Sequence, residues 1–159
     1  MTQPAKLSDE QINDEGLSVG AAKLTPAKIE QVINRVLKGE TGARLKAYVE
    51  TCVHCGLCSE ACQYYLSNDK NPKYSPVGKV KQTIWEMIRK KGRVDVAFIQ
   101  RASTIASIEC NACKRCAMYC PFGIDIAYLL LVVRRICSLL GVVPLYVQDP
   151  TNSHAAMTR

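Results

Sequence analysis

The chain has 159 residues, 48% of them hydrophobic and 22% charged, with a formal net charge of +7. That length holds one domain, or one domain with tails, and the apolar share is enough for a core. No uninterrupted apolar run reaches transmembrane length, because residues 124–143 carry Arg134 and Arg135 at their middle, where lipid would penalise them.

Residues 1–24 include Asp9, Glu10, Asp14 and Glu15 and read as a flexible arm. They show neither the basic nor the apolar region of a secretory leader. Thr25 as N-cap with Pro26 behind it predicts a first helix. Ile29, Val32, Ile33, Val36 and Leu37 keep helical spacing, and Gly39 is expected to end it. A short helix over about 41–50 presents Leu45, Tyr48 and Val49 and delivers the chain to Cys52. After Cys62 come Tyr64, Tyr65 and Leu66, then a polar loop over 67–74. Ser75 and Pro76 open a helix with Val77, Val80, Ile84, Met87 and Ile88 inward. It closes through Arg89, Lys90, Lys91 and Gly92, basic residues that suit the C-terminal end of a helix dipole. Asp95 caps a helix carrying Phe98, Ile99, Ala102, Ile105 and Ile108, which leads into Cys110. Asp125 caps the most apolar helix, with Leu129, Leu130, Val133, Ile136 and Leu140, which stops at Gly141. Residues 146–159 read as an extended tail or linker. No alternating strand pattern appears, so the predicted fold class is all-α, with one domain over 25–145.

Eight of the nine cysteines form two copies of C-x2-C-x2-C-x3-C. Cys52, Cys55, Cys58 and Cys62 make the first copy; Cys110, Cys113, Cys116 and Cys120 make the second, followed by Pro121. This run holds two 4Fe-4S clusters. Each iron of a cubane wants one soft thiolate, and cysteines at x2 intervals wrap one face of it with inward backbone N–H groups. The fourth cysteine of such a run serves the other cluster. The expected ligands are therefore Cys52, Cys55, Cys58 and Cys120 for cluster one, and Cys110, Cys113, Cys116 and Cys62 for cluster two. Zinc favours separated pairs and stops at four ligands. A disulfide framework would need a secreted chain.

Eight thiolates and two oxidised cores of charge 2+ change the net charge by about −4, leaving about +3. Nucleic acid is therefore not expected as a partner. The 48 positions between Cys62 and Cys110 leave room for a helical pair and argue against a small β-containing ferredoxin.

The paired motifs, the helical insert and the run from Cys120 through Pro121, Phe122, Gly123 and Ile124 to Asp125 resemble a known family. It is the α-helical ferredoxin module of the heterodisulfide reductase family and its relatives, including the iron–sulfur subunit of succinate dehydrogenase. The turn from Ser75 and Pro76 to Gly78 and Lys79 is similar to the Ser-Pro-x-Gly turn of that family. The resemblance implies a relay of single electrons within an oxidoreductase complex, with flavin-, haem- or cysteine-rich-domain subunits as redox partners. The missing leader pattern, the lack of a transmembrane run and eight thiols suited to a reducing compartment read as a cytoplasmic chain, held to the cytoplasmic face of a membrane only through its partners. No C-C-G motif is present, since Cys137 is the one cysteine outside the quartets. Catalysis is thus not expected of this chain alone. Two other readings stand beside the relay: an electron-transfer module from a reductase whose cysteine-rich C-terminal domain is absent, and an interaction module with structural clusters.

Other residues read as follows. Cys137 lies on an apolar face as a buried structural thiol. His54 is a surface residue of a ligand loop or a tuner of cluster one. Lys114 and Arg115 neutralise cluster charge or dock an acidic partner. The basic run from Lys70 to Arg93 reads as a solvated helix face, or as a docking surface for a partner or an anionic membrane. Trp85 is expected to pack in the core beside Ile84 and Ile88.

Overall fold

Capping side chains set where the helices begin. The computed structural model describes residues 14–148, and among them no strand occurs. Asp14 accepts from the Gly16 amide at 2.8 Å and starts α1 (Glu15–Ala22). Thr25 and Pro26 start α2 (Pro26–Val36). Gly39, at φ 75°, opens α3 (Gly39–Thr51) rather than ending α2, which stops at Leu37. A left-handed residue serves a helix-to-helix corner as well as a C-cap. Two short 3-10 turns and α4 (Gln63–Leu66) follow.

Ser75 accepts from the Gly78 amide at 2.9 Å and donates to the Pro72 carbonyl at 2.7 Å, which locks the start of α5 (Pro76–Val80). The same helix passes through a π turn (Lys81–Trp85) into α6 (Glu86–Arg89). At the turn the Thr83 hydroxyl donates to the Lys79 carbonyl at 2.7 Å, a side chain intruding on the backbone ladder. Asp95 caps α7 (Val96–Ser107) through the Phe98 amide at 2.8 Å. After α8 (Arg115–Met118), Asp125 caps α9 (Ile126–Leu140) through the Tyr128 amide, and Gly141 at φ 76° closes it.

α9 is the axis of the fold. Ile126, Leu129, Val133, Ile136, Cys137 and Leu140 are buried on it, and α7, α2, α5 and the π turn pack around it. Ile29 and Ile33 of α2, Leu45 of α3, Ile84 and Met87 complete the core. Each such side chain contributes about 1.5–3 kcal/mol by leaving water. The core therefore holds both cysteine loops at one end of α9, while α7 and α3 deliver the chain into them.

The N-terminal arm differs from expectation from residue 14 onward. α1 lies against α7 and the chain after α9. Gly16 and Gly20 permit this: a Cβ at Gly16 would stand 2.6 Å from the Val143 carbonyl oxygen, and one at Gly20 would overlap the Gly141 carbonyl. Asp14 also accepts from the Leu145 amide at 2.9 Å, joining both ends of the described chain. Residues 145–148 form a helical turn rather than an extended tail. The expectations for residues 1–13 and 149–159 lie outside the described residues.

Candidate iron–sulfur site

The two cysteine loops share one backbone design. In the first, His54 has φ 57° and Gly56 φ 84°, on either side of Cys55. In the second, Ala112 has φ 56° and Lys114 φ 63°, on either side of Cys113. Three of these four left-handed residues carry a side chain, a strain of order 1–3 kcal/mol each that persists at functional turns. The alternation of right- and left-handed residues turns backbone N–H groups into the concave side of the loop, a nest for an anion. The Ala112 amide already donates to Cys110 Sγ at 3.4 Å.

Each loop walls a cavity. One, with about 310 Å³ of atom-free space open in part to solvent, is lined by Cys52, Cys55, Cys58 and Cys120, with Val53, Val77, Phe122, Ile124 and Ile126 around them. The other, about 390 Å³ on the same measure, is lined by Cys62, Cys110, Cys113 and Cys116, with Tyr64, Lys79, Lys114 and Arg115. No carboxylate lines either. α8 packs on the 3-10 turn Leu57–Ser59, so the cavities are neighbours.

All nine cysteines are free thiols. Among the described residues no three His, Cys, Asp or Glu side chains converge on a single metal ion. The sulfurs stand around a space rather than a point, as a multi-iron core requires. Burial pushes the Cys58 thiol up to about 11, and burial followed by the neighbouring cysteines, Cys110 first and Cys58 next, pushes Cys116 up to about 12. These groups resist becoming thiolates unless positive charge enters the cavity with them. Soft donors, inward amides, no competing oxygen ligand and a need for cationic charge all fit an iron–sulfur core.

Two cations were not legible in the sequence. Lys79, within the run read as a solvated face, is 1% exposed. Its ammonium lies 3.8 Å from Cys62 Sγ, donates to the Glu109 carbonyl at 2.5 Å and sits 4.6 Å from the Tyr64 ring centroid. The signal was present in outline: Lys79 falls three residues after Pro76 on the helix face that carries Val80 and Ile84. Arg134 of α9 donates through Nε to the Ala106 carbonyl at 2.6 Å and through Nη2 to the Cys110 carbonyl. It thereby fixes the entry to the second loop.

The remaining expectations divide. Cys137 is buried at 1% exposure, and burial pushes its thiol up to about 12 against the opposing Ser103 hydroxyl. His54 is exposed and lines the first cavity. Lys114 is exposed and pairs with Asp125 at 3.8 Å. Trp85 is not a core residue: it is 37% exposed, and the Arg89 guanidinium lies 5.3 Å from its ring. The π turn rotates it outward from Ile84, which is fully buried.

A family model described as a 4Fe-4S dicluster domain matches residues 48–124. This segment is a 4Fe-4S dicluster domain. The dicluster domain takes two 4Fe-4S clusters. An Hdr-like menaquinol oxidoreductase iron-sulfur subunit 2 of Archaeoglobus fulgidus is 27% identical over 115 residues, covering 64% of this chain and 20% of the relative. The Hdr-like menaquinol oxidoreductase iron-sulfur subunit of Archaeoglobus profundus is 26% identical over the same length, with the same coverage. The chain thus spans about a fifth of the length of these curated relatives. No solved structure matches it.

Proposed function

We propose that the chain relays single electrons through two 4Fe-4S clusters inside a larger oxidoreductase complex. The observation that carries this is the pair of adjacent four-cysteine cavities, each walled by a strained, amide-lined loop. When bound, the clusters supply one-electron storage and transfer. The protein does the rest. Cys52, Cys55, Cys58 and Cys120 hold cluster one; Cys110, Cys113, Cys116 and Cys62 hold cluster two. The linings of the two cavities support that assignment. Val77, Ile124 and Ile126 give the first cavity an apolar wall, and in the second the Ala112 amide donates to Cys110 Sγ. Cys55 and Cys113 stand exposed, giving each cavity an edge that a partner can approach.

The partners are redox subunits bearing a flavin, a haem or a cysteine-rich domain. The names of the relatives favour a subunit that oxidises menaquinol, which would bring this chain to a membrane through its partner. No helix among the described residues is long and apolar enough to cross a membrane. The test is a metal count with a redox titration. About eight irons and eight sulfides per chain, reduced reversibly, are expected; clusters that cannot be cycled would leave them a structural role. Cys120→Ser tests the ligand sets. It should alter the spectroscopic signal of the cluster held by Cys52, Cys55 and Cys58, and a change confined to the other cluster would refute the assignment.

A further inference from the structure

The two cavities differ in charge in a way the cysteine motifs do not. The first is lined by apolar side chains with His54, and no Lys or Arg. The second is lined by Lys79, Lys114 and Arg115. Of these three, Lys114 and Arg115 are exposed and screened by water. Lys79 is not. Its side chain is the largest fully buried one among the described residues.

A buried ammonium without a carboxylate partner is costly to keep. Among the described residues Lys79 enters no ion pair. Glu109, whose own Oε2 is buried without a hydrogen bond, offers Lys79 its backbone carbonyl rather than its carboxylate. The Tyr64 ring and the Glu109 carbonyl supply only partial negative charge. The Glu109 carboxylate feels the ammonium without hydrogen-bonding it, and the group in direct contact that can carry a full negative charge is Cys62 Sγ, at 3.8 Å. Three features aim the ammonium there. Ser75 caps the helix, Pro76 sets its first turn, and the Thr83 hydroxyl occupies the Lys79 carbonyl.

We propose that Lys79 is a positioning residue that makes the cluster of the second cavity the stronger electron acceptor, by holding a fixed positive charge against the Cys62 sulfur. Reduction adds one negative charge to a cluster and its thiolates. A cation fixed in a low-dielectric wall lowers the energy of that extra charge and raises the potential. The first cavity has no counterpart, so an electron entering the pair comes to rest on the second. The inference rests on the relay reading of the two cavities, and it assigns that relay a direction of preference.

The test is a redox titration of the holoprotein followed by electron paramagnetic resonance, in wild type, Lys79→Met, Lys79→Gln and Lys79→Arg. The signal of the second cavity is identified by its change in Cys113→Ser. Lys79→Met keeps an unbranched side chain of nearly the same length and removes its charge. It should lower the midpoint of the second cluster by at least 59 mV, a tenfold shift in the electron distribution of a one-electron couple. The first cluster should stay at its wild-type midpoint, and Lys79→Arg should recover most of the loss. Equal midpoints in wild type and Lys79→Met at full iron content would overturn the proposal. So would an equal shift of both clusters, or an equal shift in the Met and Arg variants. If Lys79→Met fails to hold the second cluster, retention by Arg but not by Gln supports a charge role, and loss in both overturns it. Failure of either cluster to be reduced reversibly in wild type would instead sink the relay reading.

Discussion

Arg134→Met is the sharpest probe of how the scaffold holds the second loop. The guanidinium bridges two carbonyls, that of Ala106 near the end of α7 and that of Cys110, the first cysteine of its motif. Each is a charge-assisted bond worth about 1.5–3 kcal/mol. Arg134 is half-buried, so water replaces part of the loss. A net cost of about 3 kcal/mol follows from the lower end for both bonds. Because the cost falls on the path into Cys110, it should appear as local loosening of the second cavity rather than global unfolding. At about 1.4 kcal/mol per tenfold, cluster loss to an iron chelator should speed up about 100-fold for the second cluster. The first cluster should be released at close to its wild-type rate. The assay is chelator-driven bleaching, with each cluster tracked by its own resonance signal. Lys at this position cannot span both carbonyls and should recover less than half of the effect. Equal acceleration of both clusters would show that Arg134 supports the bundle as a whole. No acceleration would show that the two bonds carry no load, and either result refutes the reasoning.

Three further outcomes follow from packing and burial. Gly20→Ala places a methyl group against the Gly141 carbonyl, so α1 must shift or leave; a loss of about 1–3 kcal/mol is expected in thermal unfolding, with the cluster spectra unchanged. Folded holoprotein should leave Cys137 unlabelled by iodoacetamide at pH 8, and Cys137→Ala should retain both clusters. The raised Cys137 thiol also predicts a sign in alkali: its contribution is whole below the ordinary thiol value of 9.0 and is lost as pH climbs towards about 12. Wild type should therefore lose stability relative to Cys137→Ala over that window, and parallel curves would show that the thiol ionises equally in both states.

Local chemistry makes much of the fold readable in the chain itself. Thr25, Ser75, Asp95 and Asp125 each cap the helix expected of them, because a short polar side chain satisfies amides only three residues away. The residues that mislead are those whose role depends on the far side of the fold. Gly16 and Gly20 fall in the stretch read as a flexible arm, yet they are the contact surface of α1. Trp85 has apolar neighbours in sequence, but a π turn adds enough rotation to bring it to the surface. Arg134 reads in the sequence only as a charge unfit for lipid, while its function is to reach two carbonyls at the end of another helix.

The sequence by itself determined the kind of cofactor and the helical class, since thiolate spacing and helix caps act within a few residues. It left open the environment that each cysteine meets. Only the tertiary structure decided that one cavity is walled by valine, isoleucine and phenylalanine, while the other admits a lysine withdrawn from water. The physical reason is range. A motif fixes what a residue can bind, but charge and desolvation act through space, and the groups that set them here lie 17 to 30 positions apart along the chain.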